Sequence, residues 1–261
     1  MPKKKEITLI SWNVNGIRAA GRKGFLDWIA ARPADIIGVQ ETKAHPEQLG
    51  MFLLHPDGYE SYWNSAMEKK GYSGTAIYSQ ISPIGGSNPL GNKTLDTEGR
   101  IVCLEYEQFY LFNVYFPNGG GKPERFPYKL KFYDAFFRLI QKYRKKKPVI
   151  FIGDVNVAHR PIDIARPEAN KDSIGFLPEE RAFIDRLIKA GYIDTFRHVH
   201  GDKVDEYSWW SYRAAARERN VGWRIDYCFV SDELKKNIKD AWIDQAREGS
   251  DHCPVGVKLV I

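Results

Sequence analysis

Short apolar runs of strand length recur along almost the whole chain, with helical spacing between them, and this restricts the fold to the α/β class. The strand-like runs are Ile7 to Trp12, Asp35 to Val39, Thr75 to Tyr78 and Ile101 to Tyr106. Further along come Tyr110 to Tyr115, Pro148 to Ile152, Trp223 to Val230 and Val255 to Val260. Leu130, Tyr133, Phe136, Phe137 and Ile140 lie on one helical face, and the basic run Arg144 to Lys147 follows them. Pro178 to Ala190 predicts a second helix, with Glu179 and Glu180 where the helix dipole favours acids and Gly191 just past its end. Gly24 to Ala31 is a shorter candidate. No repeat, low-complexity tract or linker interrupts the pattern, so residues 1–261 read as a single domain. Period alone leaves open whether the sheets are parallel and how many there are.

Several runs end abruptly in a polar cluster. Ile7 to Trp12 delivers Asn13 and Asn15, and Ile36 to Val39 delivers Gln40 and Glu41. Val149 to Ile152 delivers Gly153, Asp154 and Asn156; Trp223-Arg224-Ile225 leads to Asp226, and Gly249-Ser250 to Asp251 and His252. Strands that share a sheet face would gather these groups on one rim. Singly, each cluster has a plain reading as a turn; the recurrence favours an enzyme. Oxygen donors without cysteine describe a site for a hard cation such as Mg²⁺ or Mn²⁺. A hard cation beside a histidine suggests metal-assisted phosphoryl transfer.

The cysteines number 3, Cys103, Cys228 and Cys253, too far apart for a disulfide framework or a zinc site. They read as small core residues of a protein in a reducing, cytoplasmic compartment. No apolar run is long enough to span a membrane. Met1-Pro2-Lys3-Lys4-Lys5 reads as a solvated tail, because Glu6 to Trp12 already reads as a strand and leaves no room for a secretory leader. The 39 Lys and Arg against 33 Asp and Glu give a formal charge of +6, which favours a polyanionic partner.

Seven ordered motifs sharpen this reading. They are Ser11-Trp12-Asn13-Val14-Asn15-Gly16, Gln40-Glu41-Thr42-Lys43, Gly71-Tyr72-Ser73-Gly74 and Tyr115-Phe116-Pro117-Asn118. Gly153-Asp154-Val155-Asn156-Val157-Ala158-His159, Asn220-Val221-Gly222-Trp223-Arg224-Ile225-Asp226-Tyr227 and Gly249-Ser250-Asp251-His252-Cys253-Pro254 complete the set. Together they resemble the exonuclease III family of apurinic/apyrimidinic endonucleases, part of the endonuclease/exonuclease/phosphatase superfamily with its DNase I-like fold. Val221 to Arg224 resembles the DNA-repair branch in particular. The resemblance implies a four-layered α/β sandwich, two packed mixed β-sheets flanked by helices. It implies a Mg²⁺-dependent enzyme, with Mn²⁺ as a substitute, acting on double-stranded DNA that carries an abasic or damaged nucleotide. Incision 5′ to the abasic site would leave a 3′-hydroxyl and a 5′-phosphate. Exonuclease action from 3′ to 5′, 3′-end cleaning and nicking at deoxyuridine are further activities of such relatives.

Carried over residue by residue, the resemblance makes Glu41 the main metal ligand, with Asn15 and Asp251 near it. Asp154 would orient or deprotonate the attacking water, helped by Asn156, and His252 would donate to the scissile phosphate, oriented by Asp226. Tyr115 would touch the phosphate, and Asn13 would buttress the metal and nucleophile region. Arg18, Lys23, Tyr72, Asn118 and Asn170 match positions that grip the DNA backbone. Trp209, Trp223 and Ile225 match an apolar pocket for the extruded nucleotide. Arg213 falls where the family inserts a side chain into the duplex, or else contacts phosphate within the basic stretch Arg213 to Arg219.

The chain departs from the family pattern in places. Asn15 stands where some members have Asp, which removes a negative charge from the metal region. Gly119-Gly120-Gly121-Lys122 lacks the wedge arginine of certain members, leaving Lys122 as a candidate, and Ser173 replaces an expected Asn. Two other functions compete: a related phosphodiesterase on small or lipid phosphoesters, and a DNA-binding module without catalysis. The sequence has no membrane-binding hairpin to favour the first, and Glu41, Asp154, Asp251 and His252 are all present, against the second. A monomer is expected.

Overall fold

The computed structural model describes residues 5–31, 34–67, 69–87, 90–92 and 94–261; residues 1–4 of the basic start lie outside the described residues. The first half comprises β1 (Glu6–Asn13), α1 (Ile17–Arg22), α2 (Phe25–Ala31), β2 (Ile36–Gln40), α3 (Met51–Leu54) and β3 (Glu60–Asn64). β4 (Thr75–Ser79), β5 (Gly85–Ser87), β6 (Ile101–Glu105), β7 (Tyr110–Tyr115) and the long α4 (Arg125–Arg144) follow. Then come β8 (Val149–Asp154), α5 (Pro167–Asn170), α6 (Pro178–Lys189), β9 (Tyr192–Asp194) and α7 (Thr195–His200). β10 (Trp209–Trp210), β11 (Gly222–Trp223), β12 (Asp226–Ser231), β13 (Ile238–Ile243) and β14 (Val255–Val260) complete the order. Among the described residues no helix is long and apolar enough to cross a membrane.

One 6-stranded sheet runs β13-β14-β1-β2-β4-β3, and the other runs β5-β6-β7-β8-β12-β9. β1 is parallel to β2 and β7 to β8, while β1/β14 and β8/β12 are antiparallel, so both sheets are mixed. The strand runs are apolar without alternation because both faces of each sheet are covered. Leu9, Ile36, Ile77, Leu111 and Ile150 meet between the sheets. Their chain neighbours point outward, as the two-residue period of a strand requires. Ile10, Ile37 and Tyr78 meet Ile17 of α1 and Phe25 and Trp28 of α2. Phe112 and Phe151 meet Phe136 of α4 and Leu187 of α6. The layers are therefore helix, sheet, sheet, helix, the expected four-layered sandwich.

The sheets approach closely at Gly38 of β2, where an added Cβ would stand 2.8 Å from both Asn113 Oδ1 and Ile152 Cδ1. Asn113, on β7, uses that space. Its Nδ2 donates to the carbonyls of Val39 at 3.0 Å and Ala76 at 2.8 Å, and its Oδ1 accepts from Gln40 Nε2 at 2.5 Å. One buried amide thus joins the two sheets.

The expected strand Trp223 to Val230 is in fact two. Trp223 pairs with Trp209 in the β10-β11 ribbon, and β12 begins only at Asp226. Arg224 causes the break. It turns inward, 1% exposed, with Nε on Asp163 Oδ1 at 2.8 Å and Nη2 on Asp194 Oδ2 at 2.7 Å, while its backbone N–H bonds Asp163 O rather than a strand. A buried guanidinium must keep its partners, and that need overrides strand pairing.

Candidate active site

Strand direction gathers the polar clusters. The parallel pair β1 and β2 and the parallel pair β7 and β8 end in Asn13, Gln40, Tyr115 and Asp154, with Glu41 just beyond β2. Antiparallel β12 and β14 contribute by their starts. Asp226 opens β12 directly opposite Asp154, and Asp251 and His252 lie just ahead of β14. Asp226 is therefore not at the end of an apolar run, as its sequence neighbours imply; it begins one.

Asn13 is wholly buried, and its Nδ2 donates to Glu41 Oε1 and to Asp154 Oδ2, both at 2.9 Å. A single amide therefore sets the spacing of two carboxylates. Asn15 Nδ2 donates to Asp251 Oδ1 at 2.9 Å, and Asn15 Oδ1 accepts from the Lys43 ammonium, which also meets Glu41 Oε2 at 2.8 Å. Asn156 donates to Asp154 twice, from N to Oδ1 at 2.8 Å and from Nδ2 to Oδ2 at 3.1 Å. His252 Nδ1 bonds Asp226 Oδ2 at 2.9 Å, and its Nε2 stands 3.9 Å from Asp154 Oδ2. Asn15, Glu41 and Asn156 all have left-handed backbones, with φ of 46°, 51° and 57°. Such conformations cost about 1–3 kcal/mol each and persist where surrounding structure imposes them; at Glu41, Gly16 N–H holds the carbonyl at 2.7 Å.

The electrostatics separate the acids. Burial works against the charge of Glu41, but the Lys43 ammonium, the Asn13 amide and His252 outweigh it and hold the carboxyl below the ordinary range. Asp154 goes the other way, pushed up by burial and by the neighbouring Asp226 charge. Burial opposes the charge of His252, yet Asp226, Asp154 and Asp251 prevail and raise its pKa to about 10. Carboxylates with opposite shifts in one cleft are a mark of divided acid and base roles. Burial and Glu41 raise Tyr115 well above the usual phenol range, so its hydroxyl stays a donor.

These groups face a cavity of about 410 Å³. Its lining joins polar groups, Glu41, Tyr115, Asn118, Asp154, Asn156, Asp251 and His252, to an apolar cluster of Trp209, Trp223 and Ile225, with Ser173, Ile174 and Gly175 completing it. Trp209 stands edge-on to Trp223 at 6.0 Å, and its Nε1 donates to Asp251 Oδ2 at 3.1 Å. Asn13 and Asp226 sit buried behind the wall. Arg18, Lys23, Lys122 and Arg213 are exposed away from the cavity. Lys23 lines a neighbouring basic groove with Arg217 and Arg247, while Lys122 stands 4.0 Å from Glu124. The hydroxyl of Tyr72 accepts from Arg100 and Arg125. Asn170 Nδ2 closes its own loop on the carbonyls of Ala165 and Arg166.

Three supports escaped the sequence reading. Lys43 lies within the motif Gln40 to Lys43 but is placed on Glu41 only by the fold. Ser208 Oγ donates to Asp226 Oδ2 at 2.7 Å and accepts the N–H groups of Ile225 and Asp226. Arg100, 3% exposed, donates to Tyr115 O at 3.0 Å with its guanidinium 4.6 Å from the tyrosine ring centroid. An isolated arginine after Gly99 carries no such signal in sequence.

The sequence profile of the Endonuclease/Exonuclease/phosphatase family matches residues 10–252. The chain belongs to this family. It is 48% identical over 248 residues to an exodeoxyribonuclease of Bacillus subtilis (strain 168), covering 95% of this chain and 97% of that one. It is 38% identical over 257 residues to a DNA-(apurinic or apyrimidinic site) endonuclease of Dictyostelium discoideum, covering 97% and 71%. A 3′ phosphatase from Neisseria, solved bound to a product DNA hairpin, superposes with a TM-score of 0.89 at 26% identity, covering 97% of this chain and 99% of that one. The family places this chain among the hydrolases, with nucleases of the exonuclease III type as its relatives. Ligand atoms of Glu41, Asp154 and His252 lie within 4.8 Å of one another. The Glu41 and Asp154 carboxylates of this group, with no thiolate among them, fit the divalent cation on which the family depends, while His252, its pKa raised to about 10, is protonated and not free to ligate; the Lys43 ammonium on Glu41 and Asn15 shows that the same corner accommodates positive charge.

Proposed function

We propose that the protein is a Mg²⁺-dependent endonuclease of DNA repair that cuts the backbone 5′ to an abasic site and leaves 3′-hydroxyl and 5′-phosphate ends. The observation that carries this reading is the mixed lining of one cavity: Asp154 and His252 beside an apolar cluster of Trp209, Trp223 and Ile225. A sugar without its base is the nucleotide cheapest to turn out of a duplex and has an apolar face to bury. Glu41, with Asn15 and Asp251 nearby, would hold the Mg²⁺, which supplies charge neutralisation at the phosphate. Asp154, fixed by Asn13 and Asn156, takes the proton of the attacking water. His252, kept protonated by Asp226, donates to a phosphate oxygen as charge develops there. Tyr115 donates to the same group. Lys23, Arg18 and Tyr72 grip the flanking backbone, and the chain works as a cytoplasmic monomer.

A second reading, removal of blocking groups or nucleotides at 3′ ends, is supported by the exodeoxyribonuclease and 3′-phosphatase relatives. The deciding measurement is cleavage of duplexes carrying an abasic analogue, a deoxyuridine, a 3′-phosphate or no lesion, with Mg²⁺ and with EDTA. Metal-dependent incision 5′ to the abasic analogue is expected, and cutting at deoxyuridine would widen the substrate range. Release of the 3′-phosphate without internal incision would give the function to the second reading.

A further inference from the structure

Among the described residues, one ion pair outside the candidate site has both side chains at 0% exposure. Lys129 of α4 and Glu180 of α6 are both 0% exposed, with the ammonium on Glu180 Oε1. Taking two charges out of water is expensive, and an apolar pair of similar volume often serves stability as well or better. The other bonds of the pair show what it does in addition. Lys129 Nζ donates to the carbonyl of Asn118 at 3.1 Å and to that of Asn156 at 2.7 Å, so its three N–H groups are all used. Glu180 Oε2 accepts from the N–H of Gly175 at 2.6 Å and of Leu177 at 3.1 Å. Asn118, Asn156 and Gly175 each line the cavity.

The loop after β7 lies directly on the lysine stem. Gly119 has a φ of +90°, and a Cβ there would stand 3.0 Å from Lys129 Cδ and 3.3 Å from Ile174 Cγ2. Asn156 is left-handed, and the carbonyl that Lys129 holds is its own. Its side chain in turn takes a bond from Asn118 Nδ2 at 3.1 Å and gives one to Asp154.

We infer that Lys129 is a positioning residue: seated on Glu180, it fixes the Asn118 and Asn156 loops against each other and so aims Asn156 at Asp154. The inference rests on the reading of Asp154 as the group that activates water. Lys129 does not line the cavity, so its removal lowers turnover more than DNA affinity.

Three chains test this: Glu180→Gln, Lys129→Met, and the two together, which leaves no unpaired ion. With Mg²⁺ and an abasic duplex, well below each Tm, kcat should fall on the order of 10- to 100-fold in both chains lacking Lys129, the range expected from small misplacement of a reacting group. In Glu180→Gln, where the loop bonds persist, the loss should be less than threefold. Affinity for the duplex in Ca²⁺ should stay within twofold throughout. Equal losses in all three chains, or none, would overturn the inference. Hydrogen exchange gives a second readout, independent of catalysis. Amides of residues 116–120 and 154–158 should exchange at least tenfold faster without Lys129 and at the native rate in Glu180→Gln. If neither chain lacking Lys129 folds, native-rate exchange in Glu180→Gln sustains the inference and general loosening there overturns it. If the unaltered protein cuts no duplex, the proposed function fails while the exchange data still decide the role of Lys129.

Discussion

Asp163 holds two arginines at once. Arg224 and Arg197 both reach its Oδ1, and all three side chains are at most 9% exposed. Burial alone would raise the carboxyl; the two guanidinium groups outweigh it and hold it well below the usual carboxylate range. A depressed acid stabilises the fold fully above its unfolded pKa of about 4 and loses that contribution as pH falls further. Thermal melts should therefore show an acid-side fall in Tm that is flatter in Asp163→Asn than in the unaltered chain. The same substitution, which strips Arg224 of one partner, should cost about 3 kcal/mol at neutral pH. An unchanged melting curve would mean that Asp194 alone satisfies Arg224. At the residues proposed to react, Asp154→Asn and His252→Ala should each lower kcat by roughly 10²–10⁴-fold, the range of a lost proton-transfer group. Circular dichroism should show both variants folded, and a loss below tenfold in either would remove that residue from the assigned chemistry.

Among elements, what the sequence revealed follows from burial. The central strands β1, β2, β4, β6, β7, β8 and β14 were all legible, since covering on both faces makes them continuous apolar runs. The strands that escaped include β3, β5, β9 and β13, which form the edges of the two sheets. Edge strands carry short, mixed sequences such as Gly85-Gly86-Ser87 and Ile238-Lys239-Asp240, because an exposed apolar edge invites aggregation. The ordered motifs contain the groups that the fold gathers at the cavity, whereas the side chains that hold them, Lys43, Ser208, Arg100 and Lys129, sit in ordinary surroundings and are assembled only by long-range packing. Gly38 makes the spacing of elements testable. Gly38→Ala would push Asn113 and Ile152 away from β2 and should cost about 1–3 kcal/mol of overpacking. A shift in urea midpoint at constant slope would report that cost; an unshifted midpoint would show that the sheets yield freely.

For the whole molecule, an excess of positive charge meets a site lined with acids. The formal charge of +6 attracts a polyanion from a distance, while Glu41, Asp154, Asp226 and Asp251 repel phosphate at the point of reaction until a cation is bound. Under the proposed function, grip and chemistry therefore fall to different surfaces. Lys23→Ala, in the exposed groove beside Arg217, should weaken duplex binding at every sequence and reduce the slope of log K against log salt by about 1. Its kcat at saturating DNA should be unchanged. A constant slope would place Lys23 outside the grip, and a fallen kcat would place it within the reaction.

The pairing of β1 with β14 brings together residues made at opposite times. Glu6 faces Val260, Ser250 Oγ donates to Asn13 O at 2.8 Å, and Trp12 Nε1 donates to His252 O at 3.1 Å. On the ribosome, β1 waits with one edge bare until β14 follows it out. Only then do His252 and Asp251 stand beside Asn13, Glu41 and Asp154. A chain that stalls between β12 and β14 holds Glu41, Asp154 and Asp226 yet lacks Asp251 and His252, so the cluster cannot assemble piecemeal.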